Sequence, residues 1–236
     1  SALAGGVVAL VLGLPALRVS GQFLAVTTLA FAVAMELYIL NPANFESLTP
    51  QDYHRPELWG ALELTDERWL YGLALGVLAA GVYVVRNLRA ARAGRSISAT
   101  RDNEHGASAA GINVIETRLA AFVFAGVLAG VAGTLHAVAL GGIGQSTYPV
   151  TTSLLVLSMA VIGGVSSIAG TLAGVGLVQW AGYLFPKAQL ALTGVGLLAI
   201  LLIIPGGLAQ AFERARDRWV RRVAARVNAG NVYVNR

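Results

Sequence analysis

The chain is 236 residues long, 56% of them hydrophobic and 12% charged, with a mean hydropathy of +0.67, the balance of a polypeptide whose solvent is largely lipid. Its net charge of +5 and pI near 10.0 do not point to nucleic acid, because arginines gather at residues 86–118 and 214–236 while acids dominate residues 41–67. With no cysteine, disulfides, thiolate metal sites and cysteine nucleophiles are excluded together.

Seven apolar segments follow in chain order, at residues 3–17, 23–40, 69–85, 119–140, 151–165, 168–185 and 190–204. Each is judged against the roughly 20 residues that a helix needs to cross the hydrocarbon core. The expected fold is an all-α integral membrane protein, a polytopic bundle of about seven transmembrane or re-entrant helices. Several segments run under about 18 residues. Gly163-Gly164-Val165-Ser166-Ser167 is the place for a re-entrant or broken helix, which is tolerated at membrane depth only where protein or water covers it.

Basic loops stay on the cytoplasmic side, so residues 86–118 are placed inside and parity sets the rest. Residues 41–67, 141–150 and 186–187 fall outside; Ser166-Ser167 and the C-terminus fall inside, where the second basic cluster lands without adjustment. Ser1 then lies outside. It follows no initiator Met, charged n-region or cleavage pattern, and the chain is expected to be a piece of a longer membrane protein. The organisation expected is a transmembrane domain over residues 1–210, with an external loop at 41–67 and a cytoplasmic segment at 87–117, followed by a basic tail at 211–236.

In the outer loop, Asn41-Pro42 ends a helix and Thr65-Asp66-Glu67 starts the next at Asp66 or Glu67. Glu46, Asp52, Glu57 and Glu63 with Tyr53, His54 and Trp59 make either a solvated connector or a docking surface for an extracellular protein. Within the helices, Gly72 and Gly76, Gly126 and Gly130 with Gly133, and Gly170 and Gly174 recur at the spacing that lets helices approach closely in lipid. Intramembrane polar groups are few. Glu36, His136 and Gln179, with Gly163 and Gly164 at the broken-helix site, are the pathway or gate candidates; for Glu36 a purely structural role stands beside that one.

No Asp/Glu/His relay or Arg series runs through the helices, which argues against an ion-coupled transporter or a voltage-gated channel. Residues 141–147 (Gly141-Gly142-Ile143-Gly144-Gln145-Ser146-Thr147) look like a phosphate loop but lack a Lys before Ser146, and read as an outer turn. His54, His105 and His136 fall on different sides and assemble no triad or metal site. The sequence thus holds no enzyme's constellation and no cofactor site of its own, and if the protein uses chemical energy another subunit must hydrolyse the nucleotide.

Residues 95–113 are helix-forming and carry mixed charge between two glycines, Gly94 and Gly111. A cytoplasmic helix anchored at both ends to pathway-lining helices can transmit rigid-body motion from an attached ATPase; a solvated basic loop is the alternative. In the tail, Phe212, Trp219, Val223 and Val227 share a face bordered by arginines, as in an interfacial helix on an anionic leaflet or, beyond Asn228, a disordered tail.

An ordered series of words carries a resemblance across most of the chain. It includes Val26-Thr27-Thr28-Leu29-Ala30-Phe31, Pro56-Glu57-Leu58-Trp59-Gly60, Leu64-Thr65-Asp66-Glu67-Arg68 and Gly94-Arg95 through Arg101. It continues with Glu104, Ala107, Ala109, Gly111-Ile112-Asn113, Leu119-Ala120-Ala121-Phe122, Gly163 through Gly170 and Pro205-Gly206-Gly207-Leu208. With these words the chain resembles the membrane permease subunits, M-type, of bacterial ATP-binding-cassette importers for branched-chain or other hydrophobic amino acids.

The resemblance implies a permease in the bacterial plasma (inner) membrane, paired with a homologous second permease subunit. It also implies two cytoplasmic ATPase subunits holding ATP and Mg, and an extracytoplasmic solute-binding protein. The segment containing Glu104 and Gly111 resembles the helix that docks into the ATPase, so Arg95, Arg101, Glu104, Ala107, Gly111, Ile112 and Asn113 are the expected coupling residues. Where the family commonly has Ala-Ala after the Glu, this chain has Gly106-Ala107, which predicts a bent or shorter coupling helix because glycine costs about 1 kcal/mol in a helix interior. Many relatives carry an acid directly after the Leu-Ala-Phe-Ala word; here Val33 stands there and Glu36 follows nearly one turn later. An importer for urea, short amides or sugars shares the architecture. An ATP-independent channel or secondary transporter is the alternative of a different class.

Overall fold

The computed structural model describes residues 1–16, 22–41, 43–45, 67–141, 148–203 and 207–210. The outer loop with His54, the turn at 142–147 and the basic tail at 211–236 lie outside the described residues. Every regular element described is helical: α1 (Ala2–Ala16), α2 (Gln22–Ala34), α3 (Glu67–Ala90), α4 (Arg92–Asp102), α5 (Glu104–Ala109), α6 (Val114–Leu140), α7 (Val150–Gly163), α8 (Ile168–Leu184) and α9 (Gln189–Ile203). A π-helical turn, Met35–Ile39, continues α2, closed by the Leu40 amide on the Met35 carbonyl at 2.8 Å.

The apolar runs become helices, extended at particular ends for particular reasons. Helix α3 opens at Glu67 and continues through Arg86 and Arg89. Helix α6 starts five residues ahead of its apolar run because Asn113 caps it: the Asn113 Oδ1 accepts the Glu116 amide at 3.3 Å. At 24 and 27 residues, α3 and α6 measure about 36 and 40 Å at 1.5 Å per residue, and both can span a hydrocarbon core of about 30 Å. They are the two helices among the described residues long and apolar enough to do so.

Contacts divide the chain after Val150 into two units, Ser1–Val150 and Thr151–Arg236. In the first, α1 lies along α6 at backbone distance. A Cβ on Gly126 would come 2.7 Å from the Gly5 carbonyl oxygen, one on Gly130 2.8 Å from that of Ser1, and one on Gly13 2.9 Å from the Leu119 side chain. Gly126 and Gly130 of α6 thus form a packing surface filled by α1, whereas Gly133 has nothing within 4 Å. The glycine ladder of α3 is not filled among the described residues: Gly72 and Gly76 have nothing within 4 Å, and no residue of α3 is buried.

In the second unit, α7 and α8 form an antiparallel hairpin whose core is Met159, Ile162 and Val178, with Leu197 and Ile200 of α9 packed on it. A Cβ on Gly174 would lie 2.6 Å from the Gly163 Cα, and one on Gly163 2.8 Å from that of Thr171. The 14 and 17 residues of α7 and α8 amount to about 21 and 26 Å, each less than the hydrocarbon thickness.

Candidate functional site

Between α3 and α6 the chain makes three sharp, separately capped turns within about 25 residues. The first is a one-residue elbow at Ala91, extended at ψ 170°, whose amide is bonded to the Asn87 and Leu88 carbonyls at 3.0 and 3.1 Å. The elbow is tight enough that a Cβ on buried Gly94 would fall 2.7 Å from the Arg89 Cα. Arg95 folds back over it, its Nη1 donating to the Ala90 carbonyl at 3.0 Å.

The second turn is Asn103, extended at φ −153°, whose Oδ1 accepts the Gly106 amide at 2.9 Å. Here the expected coupling segment breaks, three residues before the glycine on which the bend was expected. An Asn side chain competes well for a helix-terminal N–H, so the break falls at the cap. Gly106 sits in the first turn of the six-residue α5, where a Cβ would crowd the Asn103 side chain at 3.1 Å.

The third turn ends α5 in a Schellman arrangement. The Gly111 amide bonds the Ser108 carbonyl and the Ile112 amide the Ala107 carbonyl, both at 3.0 Å, with Gly111 in the left-handed region at φ +80°. A side chain would be strained there. Two residues later Asn113 opens α6. Across the turns, Arg118 Nη2 donates to Glu104 Oε2 at 2.7 Å, an exposed pair that ties the start of α5 to the first turns of α6.

All seven expected coupling residues fall in this junction. Arg95 holds the elbow, Glu104 the ion pair, Gly111 and Asn113 the turns. Ala107 is buried at 4% exposure, Ile112 is half-buried and Arg101 is exposed at the end of α4. Asn103 and Arg118 were not singled out from sequence. Asn103-Glu104 and Asn113-x-x-Glu116 are readable capping signals, whereas the pairing of Arg118 with Glu104, 14 residues apart, carries no local signature.

Of the pathway or gate candidates, Glu36 and His136 belong to the first unit and Gly163, Gly164 and Gln179 to the second. Glu36, in the π-helical turn, accepts the Val150 amide at 2.7 Å. His136 lies against Tyr148, ring centroids 5.4 Å apart, and the Tyr148 hydroxyl donates to the Gly133 carbonyl at 2.6 Å. Burial pushes the Tyr148 phenol above its ordinary pKa, in keeping with a hydroxyl that stays protonated to donate. Glu36 and His136 thus meet the same short stretch, residues 148–150. Gln179 is exposed on α8. Gly163 is spent on the close approach of α7 and α8, and Gly164 ends α7 at φ +100°, its carbonyl accepting the Thr171 hydroxyl at 3.3 Å. No cluster of three or more His, Cys, Asp or Glu side chains occurs among the described residues.

Two long apolar helices are thus joined by a short, arginine-bearing bracket of α4 and α5. The family described as the branched-chain amino acid transport system permease component matches residues 1–205. The high-affinity branched-chain amino acid transport system permease protein LivM of Salmonella typhimurium is 28% identical over 229 residues, covering 84% of this chain and 53% of the relative. LivM of Escherichia coli strain K12 is 28% identical over the same shares. The chain spans about half the length of these curated relatives, and no solved structure matches it. On the match over residues 1–205, the chain belongs to the family of branched-chain amino acid transport system permease components.

Proposed function

We propose that this chain is part of the membrane-spanning permease subunit of an ATP-binding-cassette importer. It forms, with a homologous second permease, the pathway for branched-chain or other hydrophobic amino acids. An extracytoplasmic binding protein delivers the solute, and two cytoplasmic ATPase subunits, holding ATP and Mg, close to drive its release. The protein sits in the bacterial inner membrane with about seven transmembrane or re-entrant helices, and residues 87–117 and the C-terminus face the cytoplasm. The observation that carries the reading is the bracket of α4 and α5 between the two long apolar helices. Its ends are bonded into α3 and α6, so a push on α5 has no slack to take up before it moves them.

The test is uptake of labelled leucine, isoleucine and valine into proteoliposomes holding the full-length protein with its co-purifying subunits. The expected result is accumulation that requires the binding protein outside and ATP on the ATPase side. Accumulation of urea, a short amide or a sugar in place of leucine would move the substrate class. Flux without ATP through this protein alone would replace the importer with a channel or secondary transporter.

A further inference from the structure

Helices α4 and α6 diverge to leave a groove of about 550 Å³, whose walls include Ile97 of α4 and Ala121, Phe122 and Ala125 of α6. Arg101 and Arg118 line it as well. On α6 the lining runs from Thr117 and Arg118 to Ala125, from polar and cationic to apolar over about 12 Å of helix. On α4, Ile97 and Arg101 are one turn apart on the same face. Arg101 makes no ion pair among the described residues. Arg118 gives one Nη to Glu104, which leaves most of the five donors of its guanidinium free. The surrounding residues 86–118 hold six arginines against three acids.

A groove with two guanidinium groups and an apolar run leading away from them matches an amphiphile with an anionic head. We propose that it binds one anionic diacyl phospholipid, the phosphate on Arg101 and Arg118 and an acyl chain along Ile97, Ala121, Phe122 and Ala125. Planar guanidinium forks suit phosphate oxygens, and basic pockets at the cytoplasmic end of membrane helices are recurrent lipid sites. Such a lipid fills the space between α4 and α6 and braces the bracket from the membrane side. The inference goes beyond the transport reading, since it needs only that α6 spans the bilayer with Arg118 at its surface.

The test titrates the delipidated full-length protein with dioleoyl phosphatidylglycerol and, separately, dioleoyl phosphatidylcholine, counting retained lipid by native mass spectrometry. One phosphatidylglycerol is expected to stay bound where phosphatidylcholine washes off. Arg101→Gln should weaken phosphatidylglycerol about tenfold, the loss of one charge-assisted contact, with little effect on phosphatidylcholine. Ala125→Trp, which fills the groove without touching the charges, should weaken retention in a protein that still melts cooperatively. Equal retention of the two lipids, or phosphatidylglycerol binding that neither variant alters, overturns the proposal. So does displacement of phosphatidylglycerol by millimolar inorganic phosphate, which would make the site one for a free anion. A photo-crosslinking residue at position 125 in native membranes is expected to label lipid; labelling of an ATPase polypeptide instead would make the groove a protein contact. Loss of the amino-acid reading in the uptake assay leaves all of these outcomes readable.

Discussion

The carboxylate of Glu36 caps the first amide of α7, that of Val150, at 2.7 Å and from 114 positions away in the chain. Residue 149, which would ordinarily supply the cap, is proline and has no side-chain acceptor. The first N–H groups of a helix have no partner of their own, and its positive end favours an anion. Glu36, for which the sequence leaves a pathway role and a structural role side by side, is engaged here as a remote helix cap.

Glu36→Ala should accordingly cost about 1 kcal/mol, the usual worth of a lost cap. Amide exchange should speed up at Val150 and Thr151 before it does in the middle of α7. Glu36→Gln keeps an acceptor oxygen and should lose less. Unchanged exchange at Val150 in Glu36→Ala would show that the cap is not held in the membrane.

Gly111→Pro removes the amide that closes α5 on Ser108 and demands a backbone angle of the opposite sign. It should abolish solute-stimulated ATP hydrolysis by the assembled importer while membrane insertion, followed by protease protection, proceeds. Gly111→Ala should reduce stimulation by less, because the left-handed conformation costs an alanine about 1–2 kcal/mol. Full stimulation in the proline variant would remove α5 from the coupling path.

Asn103→Ala takes the cap from a six-residue helix that has little propensity to form alone. A loss of about 1 kcal/mol should fray α5 and lower ATPase stimulation several-fold, whereas Asn103→Asp, which keeps the acceptor, should restore most of it. The check is a side-by-side ATPase assay, with circular dichroism to confirm that the other helices are intact.

Two glycines of similar sequence context should behave oppositely. Gly126→Val pushes a side chain into the Gly5 backbone and should lower the melting temperature by several degrees, the scale of a 1–3 kcal/mol overpacking penalty. Gly76→Val meets nothing within 4 Å and should leave the isolated chain's melting temperature unchanged. Any loss it causes should appear only in assembly with a second permease, measured by co-purification.

The helices were legible because hydropathy and capping are local: seven apolar runs match helices to within about five residues, and Gly163-Gly164 marked the α7–α8 turn. In the segment between α3 and α6 a bend was legible, but its position was not. The glycine at 106 drew the expectation, while Asn103, a stronger competitor for the backbone, set the position. Contacts across long separations left no trace in composition. Nothing near Glu36 announces Val150, nothing near His136 announces Tyr148, and Gly126 and Gly130 look like Gly72 and Gly76 until the first pair meets α1 and the second meets nothing among the described residues.

The elbow at Ala91 has a consequence for motion. Its extended residue, the absent Cβ at Gly94 and the Arg95 clasp make α3 and α4 the long and short arms of a crank. Helix α3 is about 36 Å long and buries none of its residues, so among the described residues little packs against its length. A tilt of about 5° at the elbow carries the far end of α3 through about 3 Å, the width of a methylene chain. The same tilt moves the far end of the 11-residue α4, about 16 Å from the elbow, by only about 1.4 Å.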